Sequence, residues 1–129
     1  VIVFDPPHLP SDADSVGSSK IYKEVYGVDN TDVLRDGNNI SKIFEPFLRE
    51  ARRILKPQGV VLAKLCDFIH SSEYQFSHVD FIVKAKSLGL VVDDLFIKIR
   101  KTPPLISSKW KNVKHTRKNF SYWIVVKKK

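Results

Sequence analysis

Adjacent prolines at positions 6 and 7 dictate how this 129-residue chain begins. Ahead of them stand Val1, Ile2, Val3 and Phe4, apolar and mostly β-branched, the composition of a buried strand. Proline lacks a backbone N–H and fixes its own φ, so a strand ladder cannot run on through Pro6 and Pro7. Asp5 is therefore expected at the carboxyl end of that strand, beside a rigid turn and next to His8. In open α/β sheets that edge is where ligands bind.

The remainder alternates between helix-like and strand-like stretches. Leu9 to Asn39 is rich in Ser, Asp, Gly and Asn without sustained periodicity, a long loop of the kind that is functional or mobile. Within it Lys20 to Tyr26 suggests a helical turn or two, and Tyr22 and Tyr26 suit a pocket wall or a small satellite core. Ile40, Ile43, Phe44, Phe47, Leu48, Ala51, Ile54 and Leu55 mark one face of an amphipathic helix. Asn39 or Ser41 would cap it, and Pro46 implies either a start near Glu45 or a kink. Lys56-Pro57-Gln58-Gly59 reads as a tight turn. Val60 to Leu65 follows, apolar on both faces apart from Lys64, as in a central strand covered by helices.

Ser72 and Gln75 have capping-box spacing ahead of a second helical face, Phe76, Val79, Ile82, Val83 and Leu88, closed by Gly89. Leu90–Arg100 and Phe120–Val126 read as strands, with Trp123 expected in the core. Between them runs a long basic connection. From Leu95 to Lys129 the chain carries 11 Lys or Arg and no acid, whereas the other 94 residues carry 11 bases and 14 acids. The net charge of +8 thus lies on one part of the molecule and points to a polyanionic partner, with a merely solubilising surface as the alternative. A single cysteine, Cys66, rules out an internal disulfide and suits packing at a strand end. No membrane-length apolar run and no signal-peptide pattern occur, so a cytoplasmic location is the default expectation. His8, His70, His78 and His115 lack zinc-like spacing, and no metal is expected. Asp67 is expected to be structural.

Asp5-Pro6-Pro7-His8 resembles the Asp-Pro-Pro-aromatic motif of class I S-adenosylmethionine-dependent methyltransferases that act on exocyclic or amide nitrogens, best known on adenine N6 and cytosine N4 in DNA. Histidine stands here where Tyr, Phe or Trp is usual. Leu48 to Gly59, leading into an apolar strand, is similar to the helix and strand that follow the catalytic strand in that class. The order strand, helix, strand, helix, strand, loop, strand matches the second half of the fold. The resemblance covers essentially the whole chain. It implies an α/β, Rossmann-like half-domain: a mostly parallel sheet with an antiparallel last strand and helices on its faces. The family's glycine-rich cofactor loop and ribose-binding acid have no counterpart, since Gly17, Gly27, Gly37, Gly59 and Gly89 are isolated. Residues 1–129 are accordingly expected to be the catalytic and target-facing part of a methyltransferase domain. The cofactor half is expected upstream and the piece inactive alone. Residues 9–39 would be an active-site loop and 101–119 a basic hairpin loop.

The chemistry of the motif follows from its atoms. An amino group on a base is a poor nucleophile because its lone pair is delocalised into the ring. A carboxylate from Asp5 and the carbonyl of Pro6, accepting its two N–H hydrogens, would draw the nitrogen toward tetrahedral geometry and stabilise developing positive charge. Pro7 would help hold these acceptors, His8 would stack on the flipped base or orient Asp5, and Asp5 would also meet the reacting end of S-adenosyl-L-methionine. Lys109, Trp110, Lys111, Lys114, Arg117 and Lys118 interleave cations with an indole, suited to phosphate contacts and one stacking side chain. The expected partner is DNA, with RNA or a protein glutamine as alternative substrates. A non-catalytic nucleic-acid-binding domain on a methyltransferase scaffold is the reading from another class.

Overall fold

A computed structural model describes residues 1–6, 39–70, 73–101 and 118–129. Strand β1 (Ile2–Phe4) pairs in parallel with β2 (Val60–Leu65). Helix α1 (Asn39–Ile54) precedes β2, and a small hairpin of β3 (Phe68–His70) and β4 (Glu73–Gln75) follows it. Helix α2 (Ser77–Ser87) leads into β5 (Val91–Ile99), and β6 (Phe120–Lys127) returns antiparallel between β2 and β5. The sheet order is β1-β2-β6-β5. Three strands thus point one way and the last runs against both neighbours, as the sequence implies.

One face of this sheet carries the core. Val61, Ala63 and Leu65 alternate with half-exposed residues along β2, and Ile124 and Val126 stand beside them on β6. Against this face pack Phe44 and Leu48 of α1 and Phe81 of α2, all three fully buried. Phe4 joins them, stacked on Phe47 at 3.8 Å between ring centroids and 5.8 Å from Phe81. Such aromatic contacts add to the burial term and bind β1, and hence Asp5, to both helices.

Several local expectations are corrected. Helix α1 begins at Asn39 and runs through Pro46, so Ser41 lies inside it and Glu45 does not start it. Pro46 points into solvent, and the packing of Phe44, Phe47 and Leu48 on either side of it outweighs the lost intrahelical hydrogen bond. The capping box is not formed: Gln75 lies in β4, and α2 starts two residues later behind Phe76, which makes no side-chain cap. The carboxylate of Asp67 stands in, its Oδ1 accepting from the His78 backbone N–H at 3.4 Å. Nor is β1 a buried strand, because Val3 is 64% exposed at the sheet margin. Residues of β2 facing away from the helices are only half-buried, so helices cover one face among the described residues.

Two turns form as expected. Gly89 takes φ +74° and closes α2 with paired bonds, Gly89 N–H to Lys86 O at 3.0 Å and Leu90 N–H to Ala85 O at 3.1 Å. In the Lys56–Gly59 turn the Gly59 N–H reaches Lys56 O at 2.8 Å. The positive φ there falls on Gln58, at 60°, while glycine occupies position 59 because a Cβ would lie 2.7 Å from Lys56 O.

Candidate active site at the carboxyl edge of the sheet

Asp5 follows β1 immediately, and Pro6 behind it is buried. The register that sets Phe4 beside Ala63 brings Asp5 beside Lys64. Lys64 Nζ donates to both carboxylate oxygens, at 2.8 Å to Oδ2 and 3.1 Å to Oδ1. With the Asp5 side chain 47% exposed and that of Lys64 24%, the pair sits at the rim of the edge and not in the core. The signal for Lys64 was a lone charge in an apolar strand. Its partner was not readable, because only strand pairing brings residues 5 and 64 together.

Next along β2 come Cys66 and Asp67. Burial pushes the Cys66 thiol above its ordinary range, only partly offset by Arg100 and Lys64, while Asp5 and Asp67 add to the rise. Those four charges place Cys66 amid the edge and make it a poor nucleophile at neutral pH. Alkylation by iodoacetamide is accordingly expected to reach half its maximal rate at a higher pH than a small free thiol does, measured by mass spectrometry across pH 7 to roughly 11.

Asp67 has a side chain only 3% exposed, and its Oδ1 meets His78 Nδ1 at 2.7 Å. His78 in turn stacks on Tyr122, 3.8 Å between centroids. The Tyr122 hydroxyl is raised above its usual range by burial first, then by the charge of Asp67, Tyr74 and a hydrogen bond to Asp67. Asp67 therefore ties the start of α2 to β6, the structural role expected of it.

Pro7, His8, the 9–39 loop apart from Asn39, and Lys109, Trp110, Lys111, Lys114 and Arg117 lie outside the described residues. Lys118 is described and exposed, and its Nζ stands 5.0 Å from the centre of the Tyr74 ring. The hairpin that carries the basic stretch closes where Arg100 N–H meets Asn119 O at 2.8 Å and Asn119 Nδ2 meets Arg100 O at 2.9 Å. Trp123, expected in the core, is half-buried on the sheet face away from the helices, its Nε1 shielded and without an acceptor among the described residues. No group of His, Cys, Asp and Glu that could hold a metal occurs among the described residues, and no helix there is long and apolar enough to cross a membrane.

No protein-family model matches the chain, and no curated protein does. Solved structures do. TTHA0409 of Thermus thermophilus, provisionally assigned as a DNA modification methylase, aligns over 98% of this chain and 43% of its own, with TM-score 0.56 and 16% identity. Its complex with S-adenosyl-L-methionine gives TM-score 0.57 at 13% identity, covering 44% of that chain. The fold is therefore methyltransferase-like, part of a Rossmann-like domain, and the chain spans less than half the length of the protein it matches.

Proposed function

We propose that this chain is the catalytic and target-facing part of an S-adenosyl-L-methionine-dependent DNA methyltransferase acting on an exocyclic amino group, adenine N6 or cytosine N4. The observation that carries the reading is the Asp5 carboxylate, set at the end of β1 just before buried Pro6, with an amine nitrogen already seated between its oxygens. A carboxylate that receives Lys64 Nζ in this way has the reach and exposure to receive the N–H groups of an incoming base amine. The likeness to TTHA0409, which binds S-adenosyl-L-methionine, supports the same cofactor here.

The cofactor supplies an electrophilic methyl group. Asp5 accepts one N–H of the target amine and the Pro6 carbonyl the other, which aims the nitrogen lone pair and offsets positive charge as it develops. The proton leaves after transfer, so Asp5 need not be a strong base. Asp5 fits the reacting end of the cofactor alone. Neither described glycine, Gly59 or Gly89, links a strand to a helix, so no glycine-rich cradle stands among the described residues. Calorimetry of the 129-residue chain with S-adenosyl-L-methionine is therefore expected to give no micromolar binding. Micromolar affinity would overturn that division.

The deciding experiment is transfer of labelled methyl from S-adenosyl-L-methionine to DNA by the full-length protein, with digestion to nucleosides. N6-methyladenine or N4-methylcytosine is expected. Labelled RNA or labelled glutamine in place of DNA would shift the substrate, and DNA binding without any transfer would favour a non-catalytic scaffold. Neutralising Lys111, Lys114 and Arg117 together is expected to weaken DNA binding across all sequences. The log–log salt dependence should flatten by about 0.9 for each phosphate that is no longer neutralised. An unchanged slope would remove these residues from the interface.

A further inference from the structure

Beside the Asp5 edge, on residues the methyl-transfer reading does not use, a circuit of aromatic rings closes on itself. Phe76 and Tyr74 lie with centroids 4.8 Å apart, and Phe76 meets His78 at 6.3 Å. His78 stacks on Tyr122, which meets Phe120 edge-on at 5.3 Å. Lys118 bridges the remaining gap, its Nζ 5.0 Å from the Tyr74 ring centre and 5.9 Å from that of Phe120. The β3–β4 hairpin, the start of α2 and the start of β6 are thereby joined through ring faces and one ammonium.

Tyr74, His78, Phe120 and Tyr122 are half-buried, and the circuit opens to solvent at Phe76 and Lys118. Phe76 is 53% exposed and Lys118 is exposed. Tyr74 Oη is shielded from water and has no hydrogen-bond partner among the described residues. The described charge at the hairpin stem is one-sided. Residues 98–101 and 118–120 carry four Lys or Arg and no acid, and Arg100 is fixed beside Asn119 there. Glu73 is the one acid of the β3–β4 hairpin, and Asp67 is buried against His78.

We propose that this ring circuit is a stacking site for unpaired bases of a single-stranded nucleic acid, with Phe76 as its exposed platform and Lys118 and Arg100 beside the backbone phosphates. Every base has an apolar face that can lie on a ring, and the cations answer the phosphates without reading sequence. A duplex hides those faces in its own stack. An apolar peptide would leave the cations unanswered. The inference goes beyond the Asp5 reading and does not rest on it, because binding a strand needs neither cofactor nor methyl transfer. Since β3 follows β2 after only Cys66 and Asp67, the platform lies on the same sheet edge as Asp5.

The test is fluorescence anisotropy of the full-length protein with a labelled oligothymidine of about 15 nucleotides and a labelled duplex of the same length. The single strand is expected to bind more tightly. Phe76→Ala should weaken it about tenfold with an unchanged salt slope, and Phe76→Trp should restore it. Lys118→Ala should lower the log–log salt slope by about 0.7. Parent-like single-strand binding by both Phe76→Ala and Lys118→Ala, or a preference of the parent for duplex, would overturn the proposal. Absence of methyl transfer alongside the expected affinity changes would remove the Asp5 reading and leave this site standing.

Discussion

Replacing Asp5 by alanine is expected to lower methyl transfer by about 10²–10³, the usual effect of removing one well-placed acceptor that stabilises developing charge. Lost orientation of the amine would add to it. Binding of DNA should stay near the parent value, because the carboxylate carries charge of the wrong sign for phosphate. The fold should also survive. Asp5 lies past the last apolar residue of β1 with its side chain 47% exposed, so its loss opens no core cavity. The Lys64 ammonium, 2.8 Å away, loses a partner. A pair this exposed is worth at most about 1 kcal/mol, so the melting temperature should shift by only a few degrees. Asp5→Asn is the informative companion. It keeps shape and one acceptor oxygen but drops the charge, and should fall between parent and alanine. Near-normal turnover in Asp5→Ala would end the amine-orienting assignment. A large drop in stability would instead mean that the Lys64 pair is part of the framework.

The largest loss of stability is expected at Phe44. It is fully buried and meets Phe81 edge-on at 5.3 Å and Phe4 at 6.2 Å, so it links α1 to α2 and to the strand that ends in Asp5. Phe44→Ala removes that transfer free energy and leaves a cavity, about 3–5 kcal/mol together. Against a total stability of roughly 5–15 kcal/mol, that is a large fraction of the whole. Urea denaturation followed by tryptophan fluorescence and far-UV circular dichroism measures it. Phe76→Ala, at a half-exposed ring, should by comparison cost about 1 kcal/mol or less. A Phe44→Ala loss below about 1 kcal/mol would mean that the helices do not pack on the sheet through this ring.

Much of the fold was legible because its signals are local. β-branched runs, a helical stripe from Ile40 to Leu55, a proline turn at Pro57 and a glycine stop at Gly89 each act within a few residues and appear where expected, apart from Ile54, which is exposed. The expected apolar face of α2 does not form: Phe76, Val79 and Val83 are exposed, and Ser77, Phe81 and Ala85 are buried instead. The β3–β4 hairpin was missed because Ser72 to Gln75 offers a helix cap by spacing alone. The actual start of α2 is met by Asp67, which only folding places there. Continuity of α1 through Pro46 was likewise hidden, since it depends on rings packed from other elements.

For the candidate site, the sequence by itself determined that Asp5 ends a strand and is followed by residues that cannot continue it. It also determined that positive charge gathers in the last third of the chain. Only the tertiary structure decided what those residues meet. Asp5 faces Lys64 because β1 and β2 pair in one register, and a shift by one residue would turn the lysine to the other face. Lys118 reaches Tyr74 because β6 folds back beside β2, 44 positions from Tyr74 in sequence but 5.0 Å from its ring. Periodicity reports which way a side chain points along its own element, whereas its partner across the sheet is chosen by strand order and register, which no local pattern records.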